Sequence, residues 1–242
     1  MTRIDGMYGH RARIGYTSPP LTTEVFPYDF YRIVPPGVTL VLTTLAIVER
    51  NKAEVDRSYE ISMEAARAMA RTGVDLVVLG GVPINLSRGY ANAESMLRDL
   101  EAELGVKVSS SAAAQSRALK ALGATRLVVA RPYPAQGDYP FTAPEGCEIL
   151  GTVTGEAPFR AIASLPPAYA IALGRAAMKA YPEADAIMFP SPHWPVLDAI
   201  EPLEQEFGVT VMGALQAVVW DALRRTGIDD RIEGFGTLQR QC

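Results

Sequence analysis

The sequence predicts an α/β protein of two pseudo-symmetric lobes, each a mainly parallel sheet flanked by helices, with the active site between the lobes. Three observations carry this prediction. Short β-branched runs alternate with segments of helical period, the pattern of parallel sheets covered by helices. The helical segments stop at glycines, Gly73, Gly105 and Gly123 among them, as helices commonly do. The chain also repeats itself, which marks duplicated units. Val74-Asp-Leu-Val-Val-Leu-Gly-Gly-Val-Pro83 is echoed by Ala184-Asp-Ala-Ile-Met-Phe-Pro-Ser-Pro-His193, and Leu100-Glu-Ala-Glu-Leu-Gly-Val-Lys-Val108 by Leu203-Glu-Gln-Glu-Phe-Gly-Val-Thr-Val211.

Strands are expected at residues 13–17, 38–44, 75–79, 106–108, 126–131, 185–189 and 209–212, with helices in the intervals. The clearest helix runs over 53–72, where Val55, Tyr59, Met63, Ala66 and Met69 recur at three- and four-residue steps. Helices over 93–104 and 111–122 follow, each ending at a glycine. The repeat sets one lobe at residues 1–115 plus 213–242 and the other at 116–212.

Composition excludes several classes of partner. The 242 residues carry a net charge of −4, without the basic footprint of a nucleic-acid binder. The longest apolar stretch, residues 38–48, is interrupted by threonines and is too short for a membrane span, so no membrane partner is expected. The N-terminal residues lack the apolar core of a secretory signal. Two cysteines, Cys147 and Cys242, make no disulfide framework and fit a reducing, cytoplasmic setting. Two distant histidines, His10 and His193, provide no multi-histidine metal site. Neither a metal nor a cofactor is expected.

Ligands of open α/β sheets bind beyond the carboxyl ends of the strands. The two turns that leave the repeated strands, residues 80–86 and 190–196, are therefore expected to meet between the lobes. Read without function, both are tight Gly/Pro turns between strand and helix. His193 is the one group titrating near neutral pH on either turn, two residues beyond Ser191. The structural alternative for it is a packed imidazole beside Trp194. Asn85 and Arg88 follow the first turn, and a guanidinium takes a carboxylate bidentately. Ser191 with His193 also admits a hydrolase reading, although no Gly-x-Ser-x-Gly elbow is present. Glu24 and Asp29 are either a carboxylate base or solvated loop charges. The proline-rich segment 134–144 reads as a loop beside the cleft, with Tyr139 and Phe141 as lid or packing anchors.

Strand, tight turn and helix in duplicate, with Ile14-Gly-Tyr-Thr-Ser-Pro-Pro20 at the first strand and Leu197-Asp-Ala-Ile200 after the second turn, resembles the aspartate/glutamate racemase superfamily. Within it the sequence is most similar to the branch holding maleate cis-trans isomerase and arylmalonate decarboxylase. The resemblance covers roughly residues 13–238. It implies a catalytic cysteine on each facing turn for the isomerases, and a glycine on the first turn with a cysteine on the second for the decarboxylase type. The matching positions here are Gly81 and Ser191, and neither is a cysteine. A serine hydroxyl is a far weaker acid and nucleophile than a thiol of pKa about 8.5. Cys147 and Cys242 are read as structural or incidental.

The resemblance also implies a cradle of donors around one substrate carboxylate. Here Val82 and Pro83 stand where hydroxyl residues are typical, and Pro192 replaces a glycine; proline has no N–H to donate. Tyr133, Thr17 and Ser18 remain. The candidate site therefore comprises Ser191 and His193 as catalytic groups, with Thr17, Ser18, Gly81, Val82, Asn85, Arg88 and Tyr133 around a small carboxylate substrate. Three functions are open: a cofactor-independent decarboxylase or lyase with a non-cysteine proton donor, a maleate-type isomerase or racemase, and a small-acid binding protein without turnover. The resemblance further implies a homo-oligomer.

Overall fold

The computed structural model describes residues 6–20, 23–48, 51–81, 93–134 and 146–241. Its strands form two four-stranded parallel sheets of identical order. The first runs β2 (Val38–Ile47), β1 (Ala12–Pro20), β3 (Leu76–Leu79), β4 (Lys107–Ser110). The second runs β6 (Glu148–Thr154), β5 (Arg126–Arg131), β7 (Ala186–Phe189), β8 (Thr210–Gly213). Helices α1 (Val25–Ile33), α2 (Lys52–Arg71), α3 (Ala93–Leu104) and α4 (Ser111–Ala121) accompany the first four strands. A 3-10 turn (Phe159–Ser164), α5 (Pro167–Ala180), α6 (Leu197–Phe207), α7 (Ala214–Arg225) and the short α8 (Thr237–Gln241) accompany the rest.

The internal repeat encodes joints. Asp75 accepts from the Arg13 amide at 2.8 Å and so ties the start of β3 to β1; Asp185 accepts from the Thr125 and Arg126 amides and does the same for β7 and β5. Burial pushes the Asp185 carboxyl up, but the Thr125 hydroxyl and the two amides outweigh it and hold the group below its ordinary value. Glu101 in α3 accepts from the Val108 amide at 2.9 Å, and its counterpart Glu204 in α6 accepts from Val211 at 3.2 Å. Both helices end at glycines of φ +66°, Gly105 and Gly208, a left-handed conformation that glycine alone adopts without steric cost. The repeated residues thus tie each lobe's third strand to its first and the acidic helix to the fourth strand.

Strand β6 was not expected from the sequence. It is a half-exposed edge strand interrupted by Gly151, and glycine weakens the strand signal. A Cβ there would collide with the end of the Tyr181 ring, which packs over the glycine. Strands β1 and β2 also run past their expected ends, to Pro20 and Ile47, through a register shift between Ser18 and Pro20. Proline is tolerated there because the ladder is terminating.

Each sheet is covered on both faces. Helices α2 and α3 pack Met63, Ala66, Met69, Met96 and Leu97 on Val77 and Leu79 of the first sheet. On the opposite face Phe26 and Phe30 of α1 meet Ile14, Tyr16 and Val78. Helix α4 packs Ala118 and Leu119 on Leu127, Val129 and Met188 of the second sheet. Buried residues from both sheets and from α7 belong to one continuous core. Asp221 of α7, only 2% exposed, accepts from Ser109 of β4 at 2.6 Å and from Arg117 of α4 at 2.6 and 2.9 Å. That buried cluster fixes α7 against α4 and the edge of the first sheet.

Candidate active site

Beyond the carboxyl ends of β1, β2 and β7 lies a cavity of about 150 Å³ between the lobes. Pro20, Thr23, Glu24, Val25, Ile47 and Val48 line it from the first lobe; Phe159, Arg160, Ile162, Ala163 and His193 line it from the second. A water takes about 30 Å³ of liquid, so the space matches a small organic acid and not a dinucleotide.

His193 forms part of the wall. It is 5% exposed, and among the described residues neither ring nitrogen has a hydrogen-bond partner. Buried polar groups are nearly always paired, and leaving one unpaired costs about 1–3 kcal/mol. Burial also pushes the imidazole pKa down to about 3, so the ring is neutral at ordinary pH. One nitrogen then carries a proton and the other a lone pair. The ring is fixed by its neighbours: Tyr16 and Phe26 stack at 3.8 Å between centroids, and the His193 ring lies 6.3 and 6.1 Å from them. Trp194, 1% exposed, packs edge-on against Phe189 at 5.2 Å and Tyr169 at 6.2 Å. Its amide donates to the Ser191 carbonyl at 3.3 Å, closing the turn. Ser191 itself is 4% exposed on the same turn.

Alternation along β1 divides the hydroxyls of the first strand between its two faces. Thr17 faces α2. Its hydroxyl lies 3.0 Å from the Ser62 hydroxyl and accepts from the Gly80 amide at 3.1 Å, so it is spent on holding the first turn. Tyr16 and Ser18 share the other face; both are fully buried, and among the described residues neither hydroxyl has a partner. Burial raises the Tyr16 phenol above its ordinary pKa, so it stays protonated and able to donate. Tyr16 was missed in the sequence, although it stands two residues before Ser18 and strand period places both on one face. The Tyr16 hydroxyl also abuts Gly80, where an added Cβ would come within 3.0 Å of it. Gly81, at φ +88°, continues that turn in a conformation that favours glycine.

Tyr133 is half-buried at the end of β5 and meets Phe159 edge-on at 6.3 Å, which places it next to the cavity wall. Asp29 is buried against Arg32 at 3.0 Å; burial raises its pKa and Arg32 opposes the rise. It is engaged as an ion pair and does not line the cavity. Glu24 is exposed and does line it. Cys147 donates to the Ala124 carbonyl at 2.9 Å, at the foot of β6 and far along the strand from the cavity. Val82, Asn85 and Arg88 lie outside the described residues, as do Pro83, Tyr139, Phe141 and Cys242. Among the described residues no group of three His, Cys, Asp or Glu side chains is placed to hold a metal ion, and no helix is long and apolar enough to cross a membrane.

The fold and much of the sequence are shared with proteins of known activity. Arylmalonate decarboxylase of Bordetella bronchiseptica is 28% identical over 234 residues, covering 93% of this chain and 95% of that one. A liganded arylmalonate decarboxylase variant, with one glycine changed to cysteine and one cysteine to serine, superposes with a TM-score of 0.84 at 26% identity. That match covers 94% of this chain and 98% of the other. A maleate isomerase from Pseudomonas putida shares the fold, with a TM-score of 0.82 at 22% identity over 95% of this chain and 98% of that one. The family model for arylmalonate decarboxylase matches residues 14–239, from the first strand into the last helix. The two-sheet fold is thus shared with a group to which this chain aligns over nearly its whole length, and the chain belongs to the arylmalonate decarboxylase family.

Proposed function

We propose that the protein is a cofactor-independent decarboxylase of malonate-type diacids in which His193, not a thiol, supplies the proton. The observation that carries this reading is the buried His193 imidazole, unpartnered at both nitrogens among the described residues, in the wall of the interlobe cavity. An unpaired buried polar group in a cavity is a functional candidate, because folding alone gains nothing from it.

In the reaction one carboxylate leaves as carbon dioxide when its bond to the α-carbon breaks. The bonding electron pair stays on the α-carbon and spreads into the remaining carboxylate as an enediolate. A proton then adds to the α-carbon, giving the monoacid; the net proton comes from solvent. The Tyr16 and Ser18 hydroxyls are donors of the kind the retained carboxylate needs, and their stabilising effect grows as charge builds on it. They take over from the turn amides that Pro83 and Pro192 cannot supply. In the empty site His193 is neutral, but a dianion beside it favours the imidazolium, so substrate binding draws in the proton that the reaction uses. Ser191 hydrogen-bonds substrate from the same turn, being too weak an acid to protonate carbon itself.

Absence of a thiol at both Gly81 and Ser191 disfavours isomerisation by thiol addition. The enzyme is expected to act in the cytoplasm as a homo-oligomer. The test is proton NMR in deuterated buffer with a panel of substituted malonates and with maleate, on the wild type and on His193→Ala and Ser191→Ala. Malonate loss with one deuterium at the α-carbon, abolished in His193→Ala and only slowed in Ser191→Ala, is the expected result. Thermal stabilisation by malonates without turnover in the wild type would overturn it in favour of a binding protein. Conversion of maleate alone would establish an isomerase.

A further inference from the structure

The cavity that holds His193 also carries a charge pair that neither the proposed chemistry nor the packing uses. Arg160 projects from the 3-10 turn of the second lobe and Glu24 from the start of α1 in the first; both are exposed, and both line the cavity. Their side chains make no hydrogen bond or ion pair, with each other or with any described residue. Most described arginines behave otherwise: Arg11 pairs with Asp230, Arg32 with Asp198, Arg67 with Glu103 and Arg175 with Glu206.

The backbone that bears Arg160 is firmly held. Gly155 donates to the Arg131 carbonyl at 2.8 Å, Ala157 to Pro132 at 2.9 Å and Ala161 to Pro158 at 2.9 Å, which fixes the turn to the end of β5. Phe159 and Ile162 on either side of Arg160 face the same space and make its wall apolar. A guanidinium beside an apolar wall, with His193 in that wall, suits a substrate whose two ends differ. The malonate head belongs at His193 and the body against Phe159 and Ile162, which leaves a planar anion for Arg160.

Resting on the decarboxylase reading, we infer that the substrate carries a further anionic group on the substituent of its malonate carbon, and that Arg160 recognises it. Glu24 opposes the same group, so the two residues set the preference in opposite directions. A carboxylate fits the guanidinium in two parallel hydrogen bonds; a sulfonate or phosphate offers the same oxygen geometry.

The probes are phenylmalonate and 4-carboxyphenylmalonate, which differ only in the distal carboxylate group. Dissociation constants are measured by calorimetry on the wild type, Arg160→Gln and Glu24→Gln, and KM is measured wherever turnover occurs. The wild type is expected to bind the carboxylated probe at least tenfold more tightly than phenylmalonate. That ratio should fall tenfold or more in Arg160→Gln, rise severalfold in Glu24→Gln, and shrink as salt is added. An unchanged ratio in Arg160→Gln, or failure of the wild type to bind the carboxylated probe, would overturn the inference. The outcome is separable from that of the catalytic reading: discrimination in binding without decarboxylation leaves Arg160 as the anion site of a binding protein, whereas decarboxylation without discrimination removes Arg160 alone.

Discussion

A neutral imidazole buried with both nitrogens unpaired penalises the folded state, so replacing His193 should separate stability from activity. His193→Leu removes two unsatisfied polar atoms at similar volume. It is expected to gain about 1 kcal/mol or more, which raises Tm by roughly 2–4 °C for a chain of this size, while turnover is lost. Thermal unfolding beside the NMR assay checks both, and a lower Tm would mean that the ring is a packing element. The pKa of about 3 carries its own signature. Between roughly pH 6.5 and 3 the unfolded chain binds a proton at this position that the folded chain refuses. The wild type should therefore lose stability relative to His193→Leu as pH falls through that window, by at most about 1.4 kcal/mol per pH unit, and show no such difference above pH 7. At this scale the sequence shows His193 through its rarity and its place on a turn. Tyr16 escapes because a tyrosine in an apolar strand looks like core, and only the unpaired hydroxyl in the structure distinguishes it from one.

Elements set the positions of these residues, and the joint between β1 and the turn after β3 is the tightest of them. A Cβ on Gly80 would strike the Thr17 carbonyl oxygen, which is backbone and cannot step aside, and would press on the Tyr16 hydroxyl. Gly80→Ala should therefore cost about 2–3 kcal/mol and weaken substrate binding by displacing Tyr16. Chemical denaturation and calorimetric titration of the same variant measure the two effects. Ser62→Ala, which removes one hydrogen bond of Thr17 on the face away from the cavity, should cost stability with little change in binding. The central strands were legible because buried parallel strands are continuous apolar runs, and β5 of the second sheet matches its expected bounds residue for residue. Edge strand β6 was not, because its pattern is set by the Tyr181 ring that packs over Gly151, a contact that no local window contains. The internal repeat told more than any single strand, since Asp75 with Asp185 and Glu101 with Glu204 recur as the same hydrogen bonds in both lobes.

Across the whole molecule, two sheets of the same order do not behave as two separable units, because helix α7 belongs to the packing of both. Leu215, Val218 and Val219 join the core that contains Ile14, Tyr16 and Val78 of the first sheet and Val128 and Ile187 of the second. Ala217 and Trp220 on the same helix pack with Leu127 and Met188. Neither lobe can unfold without exposing apolar surface of the other, which makes the transition cooperative although the chain is long enough for two domains. Unfolding in urea should therefore show one midpoint by far-UV dichroism and by tryptophan fluorescence, which reports on Trp194 beside the site and Trp220 in α7, and calorimetric and van't Hoff enthalpies should agree. Asp221→Ala, which leaves Arg117 and Ser109 without their shared buried carboxylate, should lower stability by about 3 kcal/mol and move the single midpoint to lower urea without splitting it. Two resolved transitions would show that the lobes fold independently. That outcome would also undercut the site, because a cavity with walls on both lobes keeps its shape only while the lobes hold each other in place.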